Sequence, residues 1–160
     1  MRCGIADIDK VARVLMDDDV IQLTSDDLMK IEKGTVKAEC ANMLQNPAVF
    51  IFMPDEDTVF IFNPLNNVMY DVHIAIKKGE SRKKAVENLI KVSKWMVIHT
   101  NLKKAITMIP EYSEKTLKLA DALGMKREGK LSSAYLKNGK LHDIIVYGIT
   151  NIEFIKKIGG

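Results

Sequence analysis

Between Ile76 and Ala85 the chain reads Lys77-Lys78-Gly79-Glu80-Ser81-Arg82-Lys83-Lys84, five cations within eight residues. Upstream, Met69–Ile76 is rich in β-forming residues. Downstream, Ala85, Leu89, Val92 and Met96, with Val86, Ile90 and Val97 beside them, recur at spacings of three and four and predict a long helix to about Thr100. A strand, a basic loop containing glycine and a helix N-terminus together make a place for phosphate. The first helical turn has unpaired N–H groups and a partial positive charge. A ligand with several phosphates satisfies both the amides and the cations; the competing reading is a solvated, lysine-rich helix start. The loop lacks the glycine-lysine-serine arrangement of a P-loop and the repeated glycines of a dinucleotide-binding turn, which disfavours those nucleotide enzymes.

His73 is the only histidine near this segment and can relay a proton through water. Successive strand residues face opposite ways, and the favoured reading of His73 is a hydrogen-bonded core residue pointing into the sheet. Tyr70, Asp71 and Glu87 are weaker candidates, and Tyr135 and Tyr147 lie further along. His99 and His142 show no partner in the sequence. Trp95 falls near the inner stripe of the long helix and reads as core. The nine methionines, Met96, Met108 and Met125 among them, have no ligand spacing and fit irregular packing.

The elements that must position these groups follow from periodicity. Ile8, Val11, Ala12, Val14 and Leu15 predict a helix from Asp7 to about Met16, ended by Asp17-Asp18-Asp19. Thr24 or Ser25 caps a second short helix that stops near Gly34. Val49-Phe50-Ile51-Phe52 and Val59-Phe60-Ile61-Phe62 are the same tetrapeptide ten residues apart, each followed after one residue by Pro, with Asp55-Glu56-Asp57 between. This is a hairpin of two strands rather than a domain repeat. Residues 36–45 add an earlier strand and 69–76 a later one. Ala105–Ile109 forms another strand, ended by Pro110. Ser113 caps a further helix with Glu114 in its first turn, Leu117, Ala120 and Leu123 as its inner stripe and Gly124 as its stop. Leu131–Lys137, the turn Asn138-Gly139 and Leu141–Ile149 make a terminal hairpin. The strands at 69–76 and 105–109 flank a long crossover helix and should run parallel within an otherwise antiparallel sheet. The expected architecture is a single α+β domain over residues 1–160, with a mixed, mostly antiparallel sheet of six to seven strands and helices on both faces.

Composition narrows the setting. The 160 residues, 47% hydrophobic and 28% charged, suffice for a self-supporting core without a metal or disulfide staple. Cys3 and Cys40 are far apart and have no companions at ligand spacing, which fits a reducing compartment and offers no zinc site. The apolar run at Val49–Met53 is too short to span a bilayer, and Asp7, Asp9 and Lys10 stand where a secretory signal would be apolar. A cytoplasmic protein is expected. The net charge of +3 divides unevenly: residues 1–70 hold 6 Lys/Arg against 12 Asp/Glu, and residues 71–160 hold 18 against 9. An acidic first part and a basic second part suggest two surfaces meeting differently charged ligands, or solvated surface with no partner.

The stretch from His73-Ile74-Ala75-Ile76 through the basic loop and helix, then Ile109-Pro110 and Ser113, then Leu119-Ala120-Asp121-Ala122-Leu123-Gly124-Met125-Lys126-Arg127-Glu128-Gly129, resembles the acetyl-CoA-binding half of a GNAT-fold N-acetyltransferase. The ending Asn138-Gly139-Lys140, Asp143, Tyr147-Gly148 is similar to the last hairpin of ribosomal-protein N-terminal acetyltransferases and their phage-borne relatives. The resemblance covers residues 70–150 and element order agrees along the whole chain. It implies an α/β GNAT fold with residues 1–70 on the acceptor side and 71–150 on the acetyl-CoA side. It implies acetyl-CoA as acyl donor, held by Ile74, Ala75 and Ile76, by Ser81, Arg82, Lys83, Lys84 and Ala85, and by Ser113 near the pantetheine arm. His73 is the catalytic candidate and Asp143 a hairpin-stabilising acid; the two acidic runs, Asp17–Asp19 and Asp26-Asp27, either face a cationic acceptor or serve as a helix terminator and a first turn. The family's signature is Arg or Gln, two residues, Gly, one residue, then Gly or Ala. It falls on Ser81, Lys84 and Val86, or with a longer loop on Arg82, Ala85 and Glu87, and neither register has both glycines. Lysine at such a point can contact phosphate directly as a point charge. Ser113 replaces an Asn of the family, and Ala120 replaces a Tyr that often protonates the departing thiolate.

In such a reaction an amine attacks the thioester directly. Its ammonium, with a pKa of about 10, must lose a proton, and backbone N–H groups must stabilise the developing oxyanion. The resemblance therefore implies acetyl transfer to a primary amine, on a protein N-terminus or a small basic molecule. The missing glycines and thiol acid motivate the alternative, a catalytically impaired GNAT-fold protein used for binding or assembly. A nucleic-acid binder ranks last, because no aromatic residues interleave the lysine loop. No membrane partner or metal is expected, and oligomeric state stays open, a homodimer included.

Overall fold

The structure, a computed structural model, describes residues 1–27, 33–77, 79 and 81–159. After a 3-10 turn at Ile5–Asp7, α1 (Ile8–Leu15) buries Val11, Ala12 and Val14. The acidic run that follows starts a helix as well as ending one. Asp17 accepts hydrogen bonds from the amides of Asp19 (3.1 Å) and Val20 (3.4 Å), capping α2 (Asp18–Thr24). Thr24 therefore ends a helix, and the expected second helix in part falls on residues 28–32, outside the described ones. Gly34 stops nothing; it lies inside α3 (Lys33–Gln45). The strand expected over 36–45 is this helix. Its Ala, Glu, Met, Leu and Gln residues are good helix formers, and Val36 and Cys40, four apart, are buried in the cluster they share with Val11 and Val14 of α1.

The repeated tetrapeptide forms the expected hairpin, β1 (Phe50–Phe52) against β2 (Thr58–Pro64), with Ile51 opposite Ile61. β3 (Met69–Ile76) pairs antiparallel with β2 from Tyr70 to Ile76. The crossover helix α4 (Arg82–His99) returns the chain to β4 (Lys104–Pro110), and α5 (Glu114–Ala122), β5 (Lys126–Lys137), β6 (Lys140–Thr150) and α6 (Asn151–Gly159) follow. Gly124, at φ +77°, closes the end of α5, and Gly139, at φ +69°, completes the β5–β6 turn. β5 begins earlier than expected, and α6, which buries Phe154, was not foreseen.

Among the described residues six strands lie in the order β1-β2-β3-β4-β6-β5, and β3 and β4 are the one parallel pair among them. Helices cover both faces. On one face Val11, Val14, Val20, Val36 and Cys40 from α1, α2 and α3 pack on Ile51, Val59, Ile61 and Ala75. On the other, Leu89, Val92 and Met96 of α4 and Leu119 of α5 pack on Phe52, Phe60, Phe62, Tyr70 and Val72. Trp95 joins this second cluster between Phe50 and Phe52. Among the described residues, no helix is long and apolar enough to cross a membrane.

Candidate functional site

The parallel pair comes apart. β3 and β4 are in register only at Met69↔Lys104, Tyr70↔Ala105 and Asp71↔Ile106, yet β3 runs on to Ile76 and β4 to Pro110. Each stays bound to its outer neighbour, β3 to β2 and β4 to β6, so a gap opens inside the sheet. The Lys77 amide donates to the Asp57 carbonyl at 3.0 Å, which sets the phase of the β2–β3 ladder. Odd-numbered residues of β3 exchange backbone bonds with β2. Val72, Ile74 and Ile76 therefore turn their N–H groups toward β4, and beyond Asp71 the β4 partner has left.

A cavity of about 1470 Å³ passes through this gap. On the α4/α5 side it is lined by Ala85, Leu89 and Ser93 of α4 and by Ser113, Thr116, Leu119, Ala120 and Leu123 around α5. On the opposite side it is lined by Asp19, Val20 and Gln22 of α2 and by Tyr112, Tyr135, Lys137, Asn138 and His142. His73, Ile74, Ala75, Ile76 and Lys77 form the β3 wall, with Thr107, Met108, Ile109 and Pro110 across from them.

The residues expected at the cofactor end divide into groups. Ile74, Ala75, Ile76, Ala85 and Ser113 all line the cavity. Ser113 stands before α5, but its hydroxyl bonds the Thr116 hydroxyl at 2.9 Å instead of capping the helix. Ser81 caps α4 by accepting from the Lys84 amide at 3.2 Å. Gly79 takes φ +105° in the turn before it, a conformation that favours glycine. Lys83 is exposed at the helix start, whereas the Lys84 ammonium turns to Asp55 at 3.4 Å, in the β1–β2 connection. Asp55 also receives the Asn88 side-chain amide at 2.6 Å. Lys78 and Glu80 lie outside the described residues, as does the side chain of Arg82.

His73 is not a core residue. Its side chain is 58% exposed, lines the cavity, and places Nε2 2.9 Å from Oδ2 of Asp71. The hydrogen bond to Asp71 raises the imidazole pKa above its ordinary value, against the opposing effect of burial. Tyr70 is buried in the cluster under α4, and Glu87 is exposed on α4. Tyr135 borders the cavity. Tyr147 does not: it is fully buried against α5, donating to Asp121 at 3.0 Å and accepting from Arg127 at 2.8 Å. His142 and His99 do have partners. The His142 ring meets Tyr112 at 4.7 Å and its Nδ1 lies 3.6 Å from Glu111, while His99 lies against Trp95 at 4.7 Å. Asp143 holds the hairpin, accepting from Lys130 at 2.7 Å and from the Ser133 amide at 2.9 Å.

Two features of the α2 side had no signal in the sequence. The Asp27 carboxylate accepts from the amides of Asn138 (2.9 Å) and Gly139 (2.7 Å), which hold its pKa low, and the Lys137 ammonium donates to the Ser25 carbonyl at 2.7 Å. The segment after α2 is thereby strapped to the tip of the β5–β6 hairpin. Beside it, the hydroxyls of Tyr112 and Tyr135 are buried without a well-formed hydrogen bond, and burial pushes both phenols upward in pKa.

No protein-family model and no curated protein matches the chain in sequence. Solved structures do match it in shape. The ribosomal-protein-S5-alanine acetyltransferase of Vibrio fischeri superposes with a TM-score of 0.76 at 15% identity, covering 96% of this chain and 93% of its own. The spermidine N-acetyltransferase of Vibrio cholerae in complex with CoA and spermine gives 0.77 at 13% identity, covering 97% and 96%. A GNAT-family acetyltransferase of Streptococcus pneumoniae gives 0.71 at 13%, covering 94% and 97%. A six-stranded mixed sheet whose single parallel pair parts over a cavity, with helices on both faces, is the fold this chain shares with them: that of the GNAT acetyltransferases.

Proposed function

We propose that this chain is an acetyl-CoA-dependent N-acetyltransferase that passes the acetyl group to a primary amine by direct attack on the thioester. The observation that carries the reading is the gap between β3 and β4, through which one cavity joins the lysine-bearing start of α4 to the groove beneath α2 and the β5–β6 hairpin. Acetyl-CoA fits the first side. The α4 N-terminus, Lys77 and Lys83 offer amides and charge to its phosphates, Ser113 and Ala85 flank the pantetheine arm, and the Ile74 and Ile76 amides face the gap where the thioester would lie. The acceptor enters from the other side, where Asp19 of α2 lines the wall together with Tyr112, Tyr135 and His142. His73 takes the ammonium proton, and the Ile74 amide stabilises the charge that develops on the carbonyl oxygen. The structural neighbours act on a ribosomal-protein alanine and on spermidine, so a protein N-terminus and a small amine are the two acceptor classes to try. Cys3 and Cys40, both free thiols, suit a cytoplasmic setting.

Calorimetric titration with acetyl-CoA, followed by thiol release in the presence of an amine panel, tests the proposal. Binding and amine-dependent thiol release are expected; no binding at millimolar ligand refutes it. A second reading, a GNAT-fold binding protein without turnover, rests on Ala120, which is buried in the cavity wall where the resembling family often carries its thiol acid. Binding with no release on any amine would favour it.

A further inference from the structure

Asp71 has no task in the reaction as described, yet its placement is costly. It sits on β3 at the last rung of the parallel ladder, opposite Ile106 of β4 and Asn63 of β2, and is 7% exposed. Its Oδ2 meets His73 Nε2 at 2.9 Å, and its Oδ1 is buried with no hydrogen-bond partner. A carboxylate withdrawn from water is destabilising unless paired and hydrogen-bonded. The two-residue period of the strand puts Asp71 and His73 on one face, the carboxylate at the closed end of the gap and the imidazole at its open end. We propose that Asp71 is a positioning residue: accepting the Nε2–H, it holds the His73 ring with Nδ1 toward the cavity, ready to take the proton of the incoming ammonium.

This inference rests on the acetyl-transfer reading. The proton passes from the ammonium to Nδ1, directly or through one water. The freed lone pair forms the C–N bond, the C–S bond breaks, and sulfur leaves with the electron pair and takes the second amine proton. His73 then returns its proton to solvent. α1 and α2 pack against this face of β3 and carry the exposed charges Asp9, Lys10, Arg13, Asp18 and Asp19, of which Asp19 alone lines the cavity with His73. The cavity wall also carries the titratable groups Lys77, Tyr112, Lys115, Lys118, Tyr135, Lys137 and His142.

The test compares Asp71→Asn and His73→Gln with the wild type by two readouts. In imidazole NMR titrations, Asp71→Asn is expected to lower the His73 midpoint by about one pH unit, a roughly tenfold change in its protonation equilibrium. In steady-state kinetics it is expected to lower kcat about ten- to hundredfold and to move the acid limb of the pH profile downward, with KM for acetyl-CoA held within about twofold. His73→Gln, at an exposed position, should fold and lose the limb. An unmoved midpoint, or unchanged kcat and limb, in folded Asp71→Asn overturns the proposal; should that variant not fold, an acid limb surviving in His73→Gln overturns it. Wild-type protein that acetylates no amine overturns the transfer reading and this role together, whereas an unmoved midpoint in an active enzyme overturns this role alone.

Discussion

Replacing Ile74 by proline isolates a single backbone donor. The ladder phase turns the Ile74 N–H away from β2 and into the gap, beyond the last β3–β4 rung at Asp71↔Ile106. Proline there removes that donor while every β2–β3 hydrogen bond can persist, because this side of β3 behaves as a sheet edge. If the Ile74 amide stabilises the developing oxyanion, losing it lowers kcat about 10²–10³-fold, equivalent to about 2.7–4 kcal/mol. The side chain is also lost, and Ile74 packs partly against the cluster under α4. Ile74→Ala supplies that control: it keeps the amide and should hold kcat within a few-fold. Ala75→Pro supplies the other, since its N–H lies on the Val59 rung and its side chain is buried. That change leaves a carbonyl unpaired inside the sheet, at a cost of about 1–3 kcal/mol, and should depress the melting temperature more than Ile74→Pro does. Thiol release at saturating acetyl-CoA, with melting curves for all three variants, is the assay. A folded Ile74→Pro that turns over within about threefold of Ile74→Ala would refute the assigned donor, given the magnitude expected for an oxyanion contact.

Other outcomes follow from the same geometry. Tyr147→Phe removes two hydrogen bonds whose partners, Asp121 and Arg127, are exposed and can turn to water. Stability should fall by about 1–2 kcal/mol and the melting temperature by about 2–8 °C, with kcat unchanged. Because the Asp71 hydrogen bond raises the folded-state pKa of His73 above the ordinary 6.5, its contribution to stability is complete below that value and is lost as pH rises through the raised one. The denaturation midpoint of the wild type, relative to His73→Gln, should decline across that window; a constant difference would contradict the pairing. Lys77→Ala combined with Lys83→Ala should weaken acetyl-CoA binding about three- to tenfold at low salt and flatten its salt dependence, as for solvent-exposed charges; unchanged affinity in low-salt calorimetry would move the phosphates elsewhere.

The parts legible in the sequence were those with strong local determinants. The duplicated Val-Phe-Ile-Phe and the Asn138-Gly139 turn specify hairpins by themselves, and a strand, a long amphipathic helix and a strand specify a parallel pair by handedness and reach. Residues 36–45 were misread because Val36 and Cys40 are β-compatible residues buried by packing on α1, which a local window does not see. The Asp17–Asp19 run is equally good as a stop and as a start, and the capping bonds to Asp19 and Val20 decide it. The facing of His73 was beyond local reasoning for a different reason. β3 is covered on both faces, so Tyr70, Val72 and Ile74 on one and Ala75 on the other give no contrast that sets the phase. Alternation alone allowed a buried histidine, the favoured reading, as well as the exposed one that the structure shows. The strap from Asp27 to the hairpin tip joins residues more than a hundred positions apart and had no local trace.

The central claim is that the parted strands β3 and β4 receive the thioester of acetyl-CoA. Titrating isotope-labelled protein with acetyl-CoA while following backbone amide resonances tests it most directly. Saturable shifts should be largest at Ile74 and Ile76, extend to Ala85 and Ser113, and leave α3, away from the cavity wall, unmoved. Amides along β3 that stay still through millimolar ligand, or shifts centred away from the gap, would contradict it.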